Sequence, residues 1–314
     1  MSAQAVPFGI IIHGGAGVTP RAEMSAERER AIREGLAASA EAGRAVLREG
    51  GSSVSAVEAA VRVMEDSPLF NAGKGASFNR AGFNEHDASI MDGATLVAGA
   101  VGAVRHVRNP IGLARLVMER SPHVLMVGGG AEAFALEQGV ALVAASYFFT
   151  EHKWQSLQAR LEREREQERL AAAQDAGLAG TVGAVALDRD GNLAAATSTG
   201  GREGKLPGRL GDSPVIGAGT YAANNSCAVS CTGDGELVLR LAAAKELSDL
   251  VALAGKSLSG AAEIVCAKVK ALGGDIGLVA IDRLGRVATP FTGEGMYRAQ
   301  ALGEGPIVAG IYDE

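Results

Sequence analysis

Two strand-like runs, residues 183–188 and 192–197, flank Arg189-Asp190-Gly191, and this pairing limits the fold more than any other feature of the chain. An Asp-Gly turn between such runs marks a tight hairpin, so neighbours in sequence become antiparallel neighbours in a sheet. The pattern recurs near the C-terminus, where residues 277–282 and 286–291 flank Leu284-Gly285. Helical spacing of apolar residues falls in other blocks, at 25–49, 52–66, 236–251 and 257–272. Antiparallel pairs with helices gathered elsewhere argue for stacked α/β layers and against a repeated βαβ winding. With 314 residues, 47% of them hydrophobic and only 4% aromatic, a large core is expected, built from Ala, Val, Leu and Ile.

Local signals mark the ends of these elements. Ser25 caps the first helix and Gly50-Gly51 stops it, while Pro110 opens a helix to Arg120 at its first position. A strand at 123–127 and a helix at 130–138 follow, and further strands are expected at 8–13, 215–221 and 226–232. Two polar, glycine-punctuated stretches, 69–76 and 84–93, are too polar for core strands and too long for simple turns, so they are expected as functional loops. Residues 151–179 carry Glu162-Arg163-Glu164-Arg165-Glu166 and few apolar anchors, the mark of a solvated helix or a mobile linker.

Several function classes drop out. The net charge is −6 and no basic stripe carries interleaved aromatics, which disfavours nucleic acid. The first residues lack a basic region followed by a long apolar run, and no stretch reaches the ~18 apolar residues of a membrane span. Cys227, Cys231 and Cys266 form neither a CxxC pair nor an even disulfide set, so buried thiols in a reducing cytoplasm are expected. Gly14-Gly15-Ala16-Gly17 follows a strand but lacks the G-x-G-x-x-G spacing, and no helix opens after it. A loop that lets backbone approach a small ligand fits better than a phosphate cradle. There is no G-x-S-x-G elbow, no H-E-x-x-H and no His/Cys cluster with zinc spacing.

What remains is Gly180-Thr181, at the head of the central hairpin. A threonine hydroxyl is a poor nucleophile without a base beside it. Cutting the chain before Thr181 frees an α-amine that titrates near ~7.7–8.0 and can be that base. Three further clusters accompany it: Thr197-Ser198-Thr199-Gly200-Gly201, whose strand end lies beside that of Thr181; a loop from Lys205 to Pro214 that presents Arg209 and Asp212; and Cys231-Thr232-Gly233-Asp234-Gly235-Glu236, a glycine turn into a helix N-terminus that favours negative charge. Together they supply a nucleophile, an anion-stabilising corner and a charged clamp for a small zwitterion. Arg209 with Asp212 also fits a surface ion pair, and Thr232 an ordinary helix cap.

Read in order, His13-Gly14-Gly15-Ala16-Gly17, Asn71-Ala72-Gly73, Asp87-Ala88-Ser89-Ile90-Met91-Asp92-Gly93, Gly180-Thr181-Val182-Gly183, Thr197-Ser198-Thr199-Gly200-Gly201, Pro207-Gly208-Arg209-Leu210-Gly211-Asp212-Ser213-Pro214, Cys231-Thr232-Gly233 and Gly295-Met296-Tyr297-Arg298 resemble the motifs of the plant-type L-asparaginases and isoaspartyl peptidases, N-terminal-nucleophile hydrolases. The resemblance spans nearly the whole chain except residues 148–179. It implies an αββα four-layer sandwich in one domain, made as a precursor and self-cleaved at Gly180–Thr181 into 1–180 and 181–314, with a mobile linker at about 150–180. It implies hydrolysis of L-asparagine and of β-aspartyl dipeptides by two paired cleaved units. Thr181 would be nucleophile and base, Thr199 would tune its hydroxyl, and Thr232 with Gly233 would hold the oxyanion. Arg209 would grip the substrate α-carboxylate and Asp212 its ammonium near the Gly235 carbonyl, while Asn71 would position the substrate. No catalytic cofactor is implied. A structural sodium would sit on the backbone carbonyls of Met64, Glu65, Ser67, Phe70, Ala72 and Lys74. Asp234 is a departure: pointing inward, its carboxylate would lower activity. A glycosylasparaginase-like hydrolase is the sibling alternative, although the His-Asp-Thr-Ile opening is absent. A non-catalytic nucleotide-binding protein is the alternative from another class.

Overall fold

The computed structural model describes residues 8–170 and 180–313. In chain order its strands are β1 (Gly9–Ala16), β2 (His86–Asp92), β3 (Ala98–Val104), β4 (Leu125–Val127), β5 (Val182–Leu187), β6 (Leu193–Thr199), β7 (Thr220–Ala222), β8 (Cys227–Gly233), β9 (Ile276–Asp282), β10 (Val287–Ala288), β11 (Met296–Leu302) and β12 (Val308–Gly310). The helices are α1 (Ala26–Arg48), α2 (Ser53–Glu65), α3 (Pro110–Arg120), α4 (Gly128–Glu137), α5 (Glu151–Leu170), α6 (Gly235–Leu241), α7 (Ala243–Ala252) and α8 (Leu258–Ala271). Ser25, Ser52 and Ser257 cap α1, α2 and α8, each accepting the backbone N–H three residues on.

Strands β12-β11-β1-β5-β6-β2-β3-β4 form one sheet and β10-β9-β8-β7 a second. Three hydrophobic cores separate four layers. Ile10, Ile12 and Ile90 pack outward with Leu36, Val57 and Ile111 of α1, α2 and α3. Ile11, Val185 and Leu193 face Ala228, Val279 and Ile281 between the sheets. Val229 and Leu278 pack outward with Leu247 and Val265 of α7 and α8. The strand period of two sends alternate residues to opposite cores, so β1 and β5 are buried on both faces. This is the expected αββα sandwich.

The hairpin β5–β6 lies at the centre of the large sheet, between β1 and β2. Val182 pairs with Ser198 and His13 with Gly183, so Thr181 begins its strand between Thr199 and the glycines of β1.

Several elements differ from expectation. Residues 86–92 are the buried core strand β2, not a loop: Ser89 Oγ donates to the Ser213 carbonyl and Asp87 Oδ1 accepts from Ala103 N–H, while the His86 ring packs 4.2 Å from that of Phe148 with neither nitrogen hydrogen-bonded among the described residues. The helix expected over 236–251 breaks at Ala242, where φ is +49°. The break frees the first N–H groups of α7, and those of Ala244 and Lys245 donate to the carbonyls of Ala218 and Gly217. The strand expected over 215–221 is reduced to β7, while β3, β11 and β12 had no reading in sequence. Residues 151–170 form α5, anchored by buried Leu157 and by Trp154, whose ring packs on those of Phe78 and Phe149. The rest of the linker expected at 150–180 lies outside the described residues, apart from Gly180.

Candidate active site

The first residue of the central hairpin is enclosed on every side. Thr181 is 6% exposed, and its hydroxyl donates to Thr199 Oγ1 at 3.2 Å. Its N–H donates to Thr232 Oγ1 at 3.3 Å, and the same oxygen accepts Ala16 N–H at 3.1 Å. With both lone pairs occupied, the Thr232 hydroxyl hydrogen is left to donate. The Gly180 carbonyl accepts from Asn71 Nδ2 at 2.5 Å and from Thr199 Oγ1 at 3.2 Å. Two donors on the carbonyl beside the hydroxyl are what attack at Gly180 requires, since negative charge develops on that oxygen. Gly15 has φ +119°, and a Cβ there would lie 3.0 Å from Gly180 Cα, so only glycine lets β1 approach the bond. Asn71 also donates to the Gly201 carbonyl and accepts Ser77 N–H. It faces Gly180 and does not line the Arg209 pocket.

Sequence reading missed the column beneath Thr181. His13 Nδ1 bonds the Thr181 carbonyl at 2.9 Å and Nε2 meets Ser230 Oγ at 2.8 Å; Ser230 Oγ in turn meets Thr197 Oγ1 at 2.7 Å. Burial pushes His13 down to about 3, so its ring is neutral: Nδ1–H donates to the carbonyl and Nε2 accepts from Ser230. Each group was visible singly, but no local pattern joins residues 13, 197 and 230.

Arg209 and Asp212 do line one narrow pocket with Thr181, Thr199, Gly233 and Gly235. They are not an ion pair with each other. The Arg209 guanidinium makes a two-pronged bond to Glu236, Nε to Oε1 at 2.9 Å and Nη2 to Oε2 at 2.8 Å. Glu236 is the residue sequence reading passed over, and Arg209 holds its carboxyl below the usual range. Asp212 is buried, its Oδ2 without a partner among the described residues, and burial pushes its carboxyl up to about 7. A Cβ on Gly235 would meet Asp212 Oδ1 at 2.7 Å and Arg209 Nη2 at 2.9 Å, so this floor has room for backbone only. A buried carboxylate lacking a partner, beside a guanidinium fork, suits a ligand carrying both an ammonium and a carboxylate. Asp234 accepts Asp275 N–H at 2.8 Å, which engages its carboxylate with the 274–275 turn.

The pocket loop is held from below. Gly208 N–H donates to both Glu85 oxygens, and Lys205 Nζ lies 3.2 Å from the Glu85 carbonyl and 3.6 Å from Asp87 Oδ2. The carbonyl positions at Met64, Glu65, Ser67, Phe70, Ala72 and Lys74 lie on a turn that closes on itself. A Cβ at Gly73 would meet Glu65 O at 2.3 Å, and one at Gly75 would meet Phe70 O at 2.1 Å. Both glycines thus pack directly on backbone oxygens, the ligand type a hard cation takes. No group of three His, Cys, Asp or Glu among the described residues is placed to hold a metal ion.

A model of the asparaginase family matches residues 6–308. The chain is 52% identical to the isoaspartyl peptidase of Salmonella typhimurium over 308 residues, covering 97% of this chain and 98% of that one. It is equally identical, 52%, to the isoaspartyl peptidase of Escherichia coli over 97% of this chain and 96% of that one. The human isoaspartyl peptidase/L-asparaginase is 43% identical over 93% of this chain and 92% of its own.

Proposed function

The chain belongs to the asparaginase family and is an amide hydrolase, and from that premise we propose that Thr181 cuts the chain at its own N-terminal side and then hydrolyses asparagine and β-aspartyl dipeptides. The observation that carries this is the Gly180 carbonyl, held by Asn71 and Thr199 beside the Thr181 hydroxyl. Attack by Thr181 Oγ1 on the Gly180 carbon transfers the acyl group to oxygen and frees the α-amine. Water then hydrolyses the ester, leaving a carboxylate on Gly180. The new amine becomes the base for the second reaction. It takes the hydroxyl proton as Thr181 attacks the substrate side-chain carbonyl, whose oxyanion meets Thr232 and Gly233. The proton passes to the leaving amine, and water releases aspartate. Arg209 and Asp212 hold the α-carboxylate and ammonium, so only the side-chain carbonyl is left to meet Thr181.

Three further assignments belong to this reading. A sodium ion on the 64–74 carbonyls would stiffen the loop that carries Asn71, supported by the crowding at Gly73 and Gly75. Pairing of two cleaved units is supported by Val124, Leu125, Val127 and Leu136, all exposed on and around β4 and α4 at the sheet edge. A cytoplasmic setting is supported by three free, buried cysteines, and no described helix is long and apolar enough to cross a membrane.

The test is intact mass under denaturing conditions, with hydrolysis of four compounds. Wild type should resolve into residues 1–180 and 181–314, roughly 18 and 14 kDa by length, and Thr181→Ala should stay whole and inert. Asparagine and β-Asp-Leu should be hydrolysed, N-acetyl-asparagine and α-Asp-Leu should not. Full activity in an uncut chain would sink the mechanism.

A further inference from the structure

The Arg209 pocket reaches the Gly180–Thr181 bond from the threonine side. A second, larger cavity of about 380 Å³ reaches it from the glycine side, walled there by Gly15, Asn71 and Gly180. The same cavity is lined by three basic side chains, Arg28 of α1 and His152 and Lys153 of α5. Two carboxylates also line it, Glu23 and Glu203, and Glu203 already accepts a hydrogen bond from Ser156 Oγ at 2.8 Å. The basic groups are under-paired. Arg28 Nε is enclosed with no hydrogen-bond partner among the described residues. Lys153 Nζ has only a long contact to Ser77 Oγ, 3.4 Å, and its pKa is lowered by burial and by the like charge of Arg28, against the opposing pull of Glu203. The Trp154 and Leu157 anchors keep Lys153 on a packed helix face.

A β-aspartyl dipeptide poses a problem of space. Its aspartyl half carries the ammonium, carboxylate and reacting carbonyl assigned to the narrow Arg209 pocket, so its second residue must lie elsewhere. Once Gly180 is cut from Thr181, no covalent wall separates the two cavities. We propose that the second cavity is then the leaving-group subsite, receiving the second residue of the dipeptide and pairing its α-carboxylate with Lys153 and Arg28. This rests on the self-cleaving reading above. The ammonia released from asparagine needs no such site, so the two substrates separate the pocket from the chemistry.

The experiment measures kcat/KM of the cleaved enzyme on asparagine, β-Asp-Leu and β-Asp-leucinamide, the last lacking only the charge. A charge-assisted hydrogen bond predicts that wild type prefers the acid over the amide by about tenfold or more. Lys153→Ala should remove that preference by slowing β-Asp-Leu alone, with asparagine within about twofold, and Lys153→Glu should reverse it. Arg28→Ala, on a different helix, should act in the same direction if either lysine variant fails to fold. Equal wild-type rates on acid and amide would overturn the subsite, leaving the cations to serve the new Gly180 carboxylate. Loss of asparagine and dipeptide hydrolysis in equal measure would overturn it too. Wild type hydrolysing none of the three would instead count against the proposed function.

Discussion

Around Thr181 the buried polar side chains have found partners inside the protein, whereas in the adjoining pocket Asp212 keeps a buried oxygen with none. The two regions share a wall, since Thr181 and Thr199 line the same pocket as Arg209 and Asp212. One is complete in the uncut chain, as the proposed self-cleavage requires, since its substrate would be the chain itself. The other waits for a molecule that brings an ammonium, and holds its guanidinium on Glu236 meanwhile. Under the proposed function, the difference means that cutting and hydrolysis would share one nucleophile but use separate recognition sets, so mutations should divide them.

The strongest way to break the pairing is Asn71→Ala. Losing a donor to the Gly180 carbonyl should slow self-cleavage by about 10²–10³-fold, followed as the decay of intact mass. If cleavage keeps its rate, Asn71 is not an oxyanion donor. Arg209→Ala tests the other side. It should cost about 2–4 kcal/mol in kcat/KM on asparagine while cleavage proceeds, because the precursor contains no substrate carboxylate. Equal loss in both reactions would merge the two recognition sets.

The smallest effect concerns stability. Burial lifts the Asp212 carboxyl from 3.8 to about 7, so the folded chain keeps a proton that the unfolded chain releases near pH 4. That contribution is full below pH 4 and fades as pH rises through 7. Asp212→Asn in a Thr181→Ala background, which keeps the chain whole, should match its parent at pH 4 and exceed it at pH 8. Urea unfolding should show a gain on the order of 1–3 kcal/mol at pH 8. A gain that does not vary with pH would point to packing instead. The same substitution should abolish asparagine binding in the cleaved enzyme, which places the instability and the function on one oxygen.

Much of this was legible in the chain. Hairpin β5–β6, the Ser25 cap and Pro110 follow from short patterns acting on neighbouring residues, and the hairpin register alone places Thr181 beside Thr199. Polar composition misled at 86–92, since the partners that make Asp87 and Ser89 tolerable in a core strand stand 16 to 131 residues away. The break at Ala242 was hidden because apolar spacing continues through it, and what favours it is the 217–218 loop of another layer.

By itself the sequence singled out Thr181, the bond before it and the loop carrying Arg209 and Asp212 as candidates, because each is a local arrangement of residue types. Only the tertiary structure decided that Arg209 pairs with Glu236 and not Asp212, that His13 reaches Ser230 across 217 positions, and that Lys153 and Arg28 face the glycine side of the bond. Those depend on which layers stack and how far apart they sit, and burial then turns each meeting into an energy. Asp212 shows the physical reason most plainly: nothing in its neighbours along the chain lifts a carboxyl to about 7, and enclosure between β7, α6 and the Arg209 loop does.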